Sequence, residues 1–512
     1  MKHSLTTALL ATALAVGTSC TQQKMHDNPF LAEYDTPYGI PPFDQIAYED
    51  YLPALQAGIE QQNEEIKAIT ENDSTPTFDN TILALDRTGA ILERVVPVFA
   101  ALEESNSSPE MMEIAEQFYP LYQAHSDEMM MNDKLFGRVK YLYDHRDSLG
   151  LASDQLLAVE KMYKDFTRNG ALLADADKEQ LKAINSELAD LYLKFNKNLL
   201  NATNAFSVVI DKEEDLAGLP ESTIAVAAEE AEKRGEKGKW VFTLHAPSRL
   251  PVLQFAQNRD LRRRIYEGYT TQATDGENNN LPVINKILQA RAKKAKLLGF
   301  KDYGSYMTDN VMAGSVDAAE SLLMQIWTPA VAKVKEEVAE MQAVADEEGA
   351  GVKIEPYDYY YYAEKVRQKK YDFDESQVSA YFAADSVRNG IFAMAERLYG
   401  IKFTEMTDAP KYYDEVNVYD VTDAETGEHV AVFMTDYFTR ASKRQGAWMS
   451  EFKGSWTEPD GTSSRPVVFN VGNFTRPTAE LPSLLTLDEV ETMFHEFGHG
   501  LHGMLTRARY KM

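Results

Sequence analysis

Cysteine is almost absent from this chain of 512 residues, because Cys20 is the only one. An intramolecular disulfide framework is therefore excluded. A closed structural metal site built from several thiolates is excluded as well. Histidine is also scarce, with nine residues in the whole chain, so any cluster of histidines carries information.

Positive charge is in short supply too. The chain has 80 acidic and 52 basic residues, which gives a formal net charge of −28. Such a chain repels phosphate, which excludes a nucleic-acid partner. Beyond the N-terminus no segment has the roughly 18 consecutive apolar residues of a membrane-spanning helix.

The N-terminus has the composition of an export signal. Lys2 and His3 precede the apolar stretch 5–16, and small residues then lead to Cys20. We expect residues 1–20 to be a signal peptide, followed by a polar tether over residues 21–33. Because small residues before a cysteine resemble a bacterial lipoprotein processing site, we expect an exported protein in the periplasm or cell envelope, attached to the membrane through an acylated Cys20. An ordinary secretion signal is the alternative.

Hydrophobic periodicity predicts a mainly α-helical protein. Apolar residues recur every three or four positions in much of the chain, as in 182–206. We place an N-terminal helical lobe at 34–250 and a second lobe at 251–512. In the second lobe, the runs 416–421 and 430–438 read as a β-hairpin and 466–471 as a further strand. These runs predict a small antiparallel sheet.

One segment carries chemistry. Residues 494–502 read Phe-His-Glu-Phe-Gly-His-Gly-Leu-His. On a helix, His495 and His499 lie on one face a turn apart, which suits two nitrogen ligands of a zinc ion. Glu496 can accept a proton from the attacking water. With so few histidines, chance would produce this spacing in roughly one such chain in a hundred.

The flanking sequence favours a helix. Thr486 and Glu489 form a capping box that predicts a helix from Leu487. An apolar stripe is expected on the opposite side from the two histidines, at these positions: Val490, Met493, Phe494, Phe497, Leu501 and Met504.

His502 lies near the same face, but about 10.5 Å along the helix axis from His495. Two ligands of one zinc ion are less than about 4.2 Å apart, so His502 is expected to support the site or contact the substrate. A catalytic zinc takes three protein ligands, and nothing after His499 is a good third one. We therefore expect the chain to be truncated, with the third ligand beyond Met512.

These residues resemble the thimet oligopeptidase (M3) family. The similarity includes 494–503, the stretch Pro-Val-Val-Phe-Asn-Val-Gly-Asn-Phe-Thr at 466–475, and 437–448. It extends from about residue 28 to the end and is greatest to the peptidyl-dipeptidase branch. The resemblance implies a two-lobed, helical, zincin-like metallopeptidase with a deep channel that admits short peptides. It also implies one zinc ion on His495 and His499, Glu496 as general base, and a third ligand, a glutamate, roughly 25 residues past His499.

The predicted function is hydrolysis of short peptides, with release of C-terminal dipeptides. An endo-acting oligopeptidase of the same family is the first alternative. A non-catalytic, lipid-anchored peptide-binding protein is the second. We also consider that the run 430–438 or 466–471 offers an edge to which the substrate backbone adds as a strand, against the alternative of plain sheet packing.

Overall fold

Helices make up most of the computed structural model, which describes residues 27–373, 378–478 and 481–512. The prediction of a mainly α-helical protein is confirmed. The helices are α1 (Tyr51–Thr70), α2 (Ala90–Ser105), α3 (Pro109–Met130), α4 (Asp133–His145), α5 (Ser153–Arg168), α6 (Asp175–Ala205), α7 (Glu221–Lys233), α8 (Ala246–Phe255), α9 (Arg259–Thr270), α10 (Leu281–Leu297), α11 (Tyr303–Thr308), α12 (Val316–Glu347), α13 (Tyr359–Tyr371), α14 (Ala384–Tyr399) and α15 (Leu487–Leu505). A π-helical turn at Phe78–Leu83 continues into a short helix at Ala84–Asp86.

The strands form two sheets. The strands are β1 (Val208–Ile210), β2 (Trp240–Phe242), β3 (Ile401–Glu405), β4 (Asn417–Asp423), β5 (His429–Phe438), β6 (Trp448–Lys453) and β7 (Val467–Phe474). β1 and β2 form an antiparallel pair, and the other strands form a sheet in the order β3-β4-β5-β7-β6. The predicted hairpin is confirmed, because β4 pairs antiparallel with β5.

One feature of the larger sheet differs from a purely antiparallel arrangement. β7 pairs with β5 in parallel and with β6 in antiparallel orientation. After β5 the chain reverses direction along β6 and reverses again along β7, which inserts between β5 and β6. β7 is therefore parallel to β5 and antiparallel to β6. β5 and β7 are therefore interior strands, and the idea that one of them receives a substrate backbone is wrong. The edge strand on this side is β6.

Hydrophobic cores cover both faces of this sheet. One face of β4, β5 and β7 packs against α1, α2 and α3, through side chains that include Val432, Met434 and Phe469. On the other face α14 and α15 pack against Phe433 and Val468. Since side chains alternate between faces along each strand, the sheet is held between N-terminal helices and the helix that carries the motif.

The chain enters this structure near residue 28. The predicted signal peptide and Cys20 lie outside the described residues, as do residues 21–26 of the predicted tether. Within the part of the tether that is described, Phe30 is fully buried and packs on Tyr51 with ring centroids 5.4 Å apart. Residues 28–31 are thus docked on the protein. In the described ranges no helix is long and apolar enough to cross a membrane, and the lobe boundary near residue 250 stays a prediction.

Candidate functional site

The predicted motif helix forms as expected. α15 begins at Leu487 behind Thr486, whose Oγ1 accepts a hydrogen bond from Glu489 N at 3.1 Å. The Glu489 carboxylate accepts one in return from Thr486 N at 2.9 Å, so the capping box is complete. The other carboxylate oxygen of Glu489 accepts a hydrogen bond from Thr475 N at 2.7 Å, which ties the start of the helix to the end of β7.

Most of the predicted apolar stripe is buried against the sheet. Val490, Met493, Phe497, Leu501 and Met504 are all at most 9 % exposed. Phe494 is the exception, since 38 % of its surface is exposed. It lies about 60° from the middle of the stripe, measured at 100° per residue, and so falls outside the contact with the sheet.

Two glycines let α15 lie close to the sheet. A Cβ placed on Gly503 would come within 2.5 Å of Met449 Cε, and one on Gly500 within 3.2 Å of Asn470 Oδ1. A larger residue at either position would push the helix away from β6 and β7. The close approach brings the polar face of α15 over the edge strand.

The two motif histidines face each other on the exposed side of α15. Their Nε2 atoms are 3.1 Å apart, and both residues are exposed. Two ligands bound to one zinc ion at about 2.0–2.1 Å in tetrahedral geometry have nitrogens about 3.3–3.4 Å apart. The pair His495 and His499 therefore fits a metal as two neighbouring ligands.

A third ligand is not found among the residues that the structure describes. Within 27–373, 378–478 and 481–512, no group of three or more His, Cys, Asp or Glu side chains could hold a metal ion. The expectation of a further ligand beyond Met512 remains a prediction.

A large cavity opens beside the motif. Its volume is about 1250 Å³, and its walls include α15, α2 and β6 together with residues of the segments 33–39, 454–458 and 506–512. α15 contributes Glu496, His499 and His502. The cavity thus brings the predicted base, one predicted ligand and His502 together, while the role of each stays a prediction.

Local sequence patterns do not identify β6 and α2 as walls of the cavity. β6 lines the cavity along its whole length, and α2 contributes residues such as Glu93, Arg94 and Pro97. β6 is only six residues long, and its apolar–polar alternation is weak because the polar Ser450 shares a face with Trp448 and Phe452 and the apolar Met449 lies on the opposite, polar face. α2 reaches the site from more than 340 positions away in sequence, which local periodicity cannot reveal.

Comparisons with known proteins agree with the site. Residues 252–512 match the model of peptidase family M3. The chain is 39 % identical over 485 residues to the dipeptidyl carboxypeptidase of Escherichia coli (strain K12). The aligned region covers 94 % of this chain and 71 % of that protein. It is 33 % identical to oligopeptidase A of Salmonella typhimurium, covering 94 % of this chain and 70 % of that protein.

The similarity to these peptidases spans most of the chain and includes the motif helix. No support is found for a non-catalytic peptide-binding protein. The family consists of zinc metallopeptidases. The paired histidines and the glutamate beside a large cavity agree with this similarity. The sequence shows that the chain belongs to peptidase family M3.

Proposed function

We propose that this metallopeptidase holds one zinc ion on His495 and His499 and cleaves short peptides with Glu496 as the general base. The observation that carries the proposal is the pair of imidazoles with Nε2 atoms 3.1 Å apart, on the turn of α15 that also carries Glu496 into the cavity. We further propose that the reaction releases C-terminal dipeptides, since the relative at 39 % identity is a dipeptidyl carboxypeptidase.

The chemistry follows from the residues on α15. A bound zinc ion supplies Lewis-acid polarisation and makes water more acidic. The carboxylate of Glu496 then takes the proton of the attacking water and returns it to the leaving amine. His495 and His499 hold their positions because the opposite side of the same helix is buried in the core.

The edge strand offers a way to hold the peptide. β6 pairs with β7 on one side and lines the cavity along its length. An extended peptide can add to such an edge through main-chain hydrogen bonds, which are indifferent to the peptide's sequence. A cavity of about 1250 Å³ exceeds the usual size of small-molecule sites. It has room for several residues of an unfolded peptide.

The base is tested by substitution in the full-length protein. Glu496→Gln should lower the rate of peptide hydrolysis by at least about a hundredfold and leave the zinc content unchanged. Glu491→Gln is the matched control, because Glu491 is an exposed glutamate on the same helix. Wild-type rates in Glu496→Gln would rule out Glu496 as the base.

The mode of cleavage is tested with one peptide in two forms. A peptidyl-dipeptidase recognises the free C-terminal carboxylate, so amidation of the C-terminus should strongly reduce cleavage and the first product should be the C-terminal dipeptide. Equal cleavage of both forms would favour the endo-acting alternative, which the similarity to oligopeptidase A keeps open.

We also propose that the protein is exported and lipid-anchored through Cys20. The support is the order of basic, apolar and small residues before that cysteine. In cells fed a labelled fatty acid, the wild-type protein should carry the label and Cys20→Ser should not. An unlabelled, processed wild-type protein would indicate an ordinary secretion signal.

A further inference from the structure

The loop between β5 and β6, residues 439–447, is built around a lysine that the proposed chemistry does not use. Lys443 is fully buried. Its Nζ lies 2.7–2.9 Å from four oxygen atoms: the carbonyl oxygens of Asp436, Phe438 and Gly472, and Oδ1 of Asp436. A buried ammonium needs this many partners, because an unpaired charge in the interior is strongly unfavourable.

Asp436 gathers a second set of charged partners. Both of its carboxylate oxygens accept hydrogen bonds from Arg440, at 2.7 and 2.6 Å, and Tyr412 OH donates one at 2.8 Å. Burial favours a raised pKa for Asp436, but the hydrogen bonds of Arg440 and the charges of Lys443 and Arg440 hold its pKa below the usual value. Burial lowers the pKa of Lys443 to about 8, against the attraction of Asp436.

The same loop is attached to the end of α2. Ser107 N donates to the Ser442 carbonyl, and Arg444 N donates to the Glu104 carbonyl, both at 2.8 Å. The guanidinium of Arg444 also lies over the ring of Trp448, 4.6 Å from its centroid. Trp448 is the first residue of β6 and lines the cavity. The loop therefore joins two walls of the cavity, α2 and β6.

We propose that Lys443 is a positioning residue for the peptide substrate: by fixing the loop 439–447, it sets the orientation of the edge strand β6 relative to α2. The inference rests on the proposed function of the cavity. Lys443 touches neither the substrate nor the motif residues, so its effect is on how firmly the peptide is held. Proton transfer by Glu496 and metal binding by the histidines are left intact.

The test is a set of steady-state measurements on the zinc-loaded protein. Lys443→Met removes the donors while keeping a long unbranched side chain. It should raise KM for a short peptide by about three- to tenfold, the equivalent of one main-chain hydrogen bond, with kcat within about twofold and zinc content unchanged. Arg444→Gln alters the exposed end of the same loop, so it should fold even if Lys443→Met does not. It should raise KM in the same direction by a smaller factor.

Arg263→Gln serves as the matched control, since it breaks exposed ion pairs on α9 away from the loop and the cavity. Its KM should equal that of the wild type. Wild-type protein that is inactive with zinc would refute the proposed function itself. An active wild type, with folded loop variants of unchanged KM, would overturn only the positioning role. Loop variants that lose both kcat and bound zinc would also overturn the positioning role.

Discussion

Gly500 and Gly503 set how closely α15 approaches the sheet, and their replacement by alanine is a direct test of that packing. Gly498 provides the control on the same helix, because nothing lies within 4 Å of a Cβ placed there. In an exposed helical position, alanine is more favourable than glycine by about 0.5–1 kcal/mol. Gly498→Ala should therefore raise the free energy of unfolding by about that amount.

The other two substitutions should have the opposite sign. At Gly503 the new Cβ meets Met449 Cε at 2.5 Å and Val468 Cγ2 at 3.1 Å, and the Val468 side chain has little freedom to move. At Gly500 it meets both Asn470 Oδ1 and Phe433 Cε2 at 3.2 Å. Overpacking costs about 1–3 kcal/mol, which exceeds the helical gain. We expect a net loss of about 1–2 kcal/mol for Gly503→Ala and less for Gly500→Ala.

The assay is urea unfolding of the chelator-treated proteins, so that metal binding does not contribute. With similar denaturant dependence in all four proteins, the midpoints should fall in the order Gly498→Ala, wild type, Gly500→Ala, Gly503→Ala. If all three alanine variants are stabilised alike, the helix does not rest on these glycines and the packing described for α15 is incorrect.

Two further predictions concern stability. Burial beside Glu104 raises the pKa of Glu103 to about 7, so the folded protein binds more protons than the unfolded chain from about pH 4.5 to 7 and loses stability as pH rises through that window. Glu103→Gln should therefore raise the free energy of unfolding at pH 8 by an amount on the order of 1–2 kcal/mol, reduced because the side chain is only partly buried, and should leave it unchanged at pH 4. Urea unfolding at the two pH values measures this difference, and an equal change at both would contradict this cause. Thr486→Ala removes the N-cap of α15 and should cost about 1 kcal/mol in urea unfolding, whereas Thr486→Ser should retain most of it; equal losses in both variants would argue against the cap.

The local features of the site could be predicted from the sequence. The helix from Leu487, its capping box and the exposure of His495 and His499 depend on residues only a few positions apart, and all are found in the structure. The hairpin of β4 and β5 was predictable for the same reason, since one short turn joins the two strands.

The long-range features could not be predicted in this way. The parallel pairing of β5 with β7 depends on where the return strand inserts, which no local pattern specifies. Arg440 and Lys443, the buried partners of Asp436 in β5, look in sequence like part of a solvated loop, and only the packing of α2 against the sheet makes them interior. The exposed position of Phe494 likewise depends on how wide a strip of α15 the sheet covers.

The most direct test of the central claim is anomalous diffraction from zinc-soaked crystals of the protein, with data collected on both sides of the zinc absorption edge. The paired histidines predict one strong anomalous peak within about 2.0–2.1 Å of Nε2 of both His495 and His499. The peak should disappear in the variant that carries His495→Ala and His499→Ala. A zinc peak away from α15, or one that survives both substitutions, would contradict the assignment of these histidines as the metal ligands.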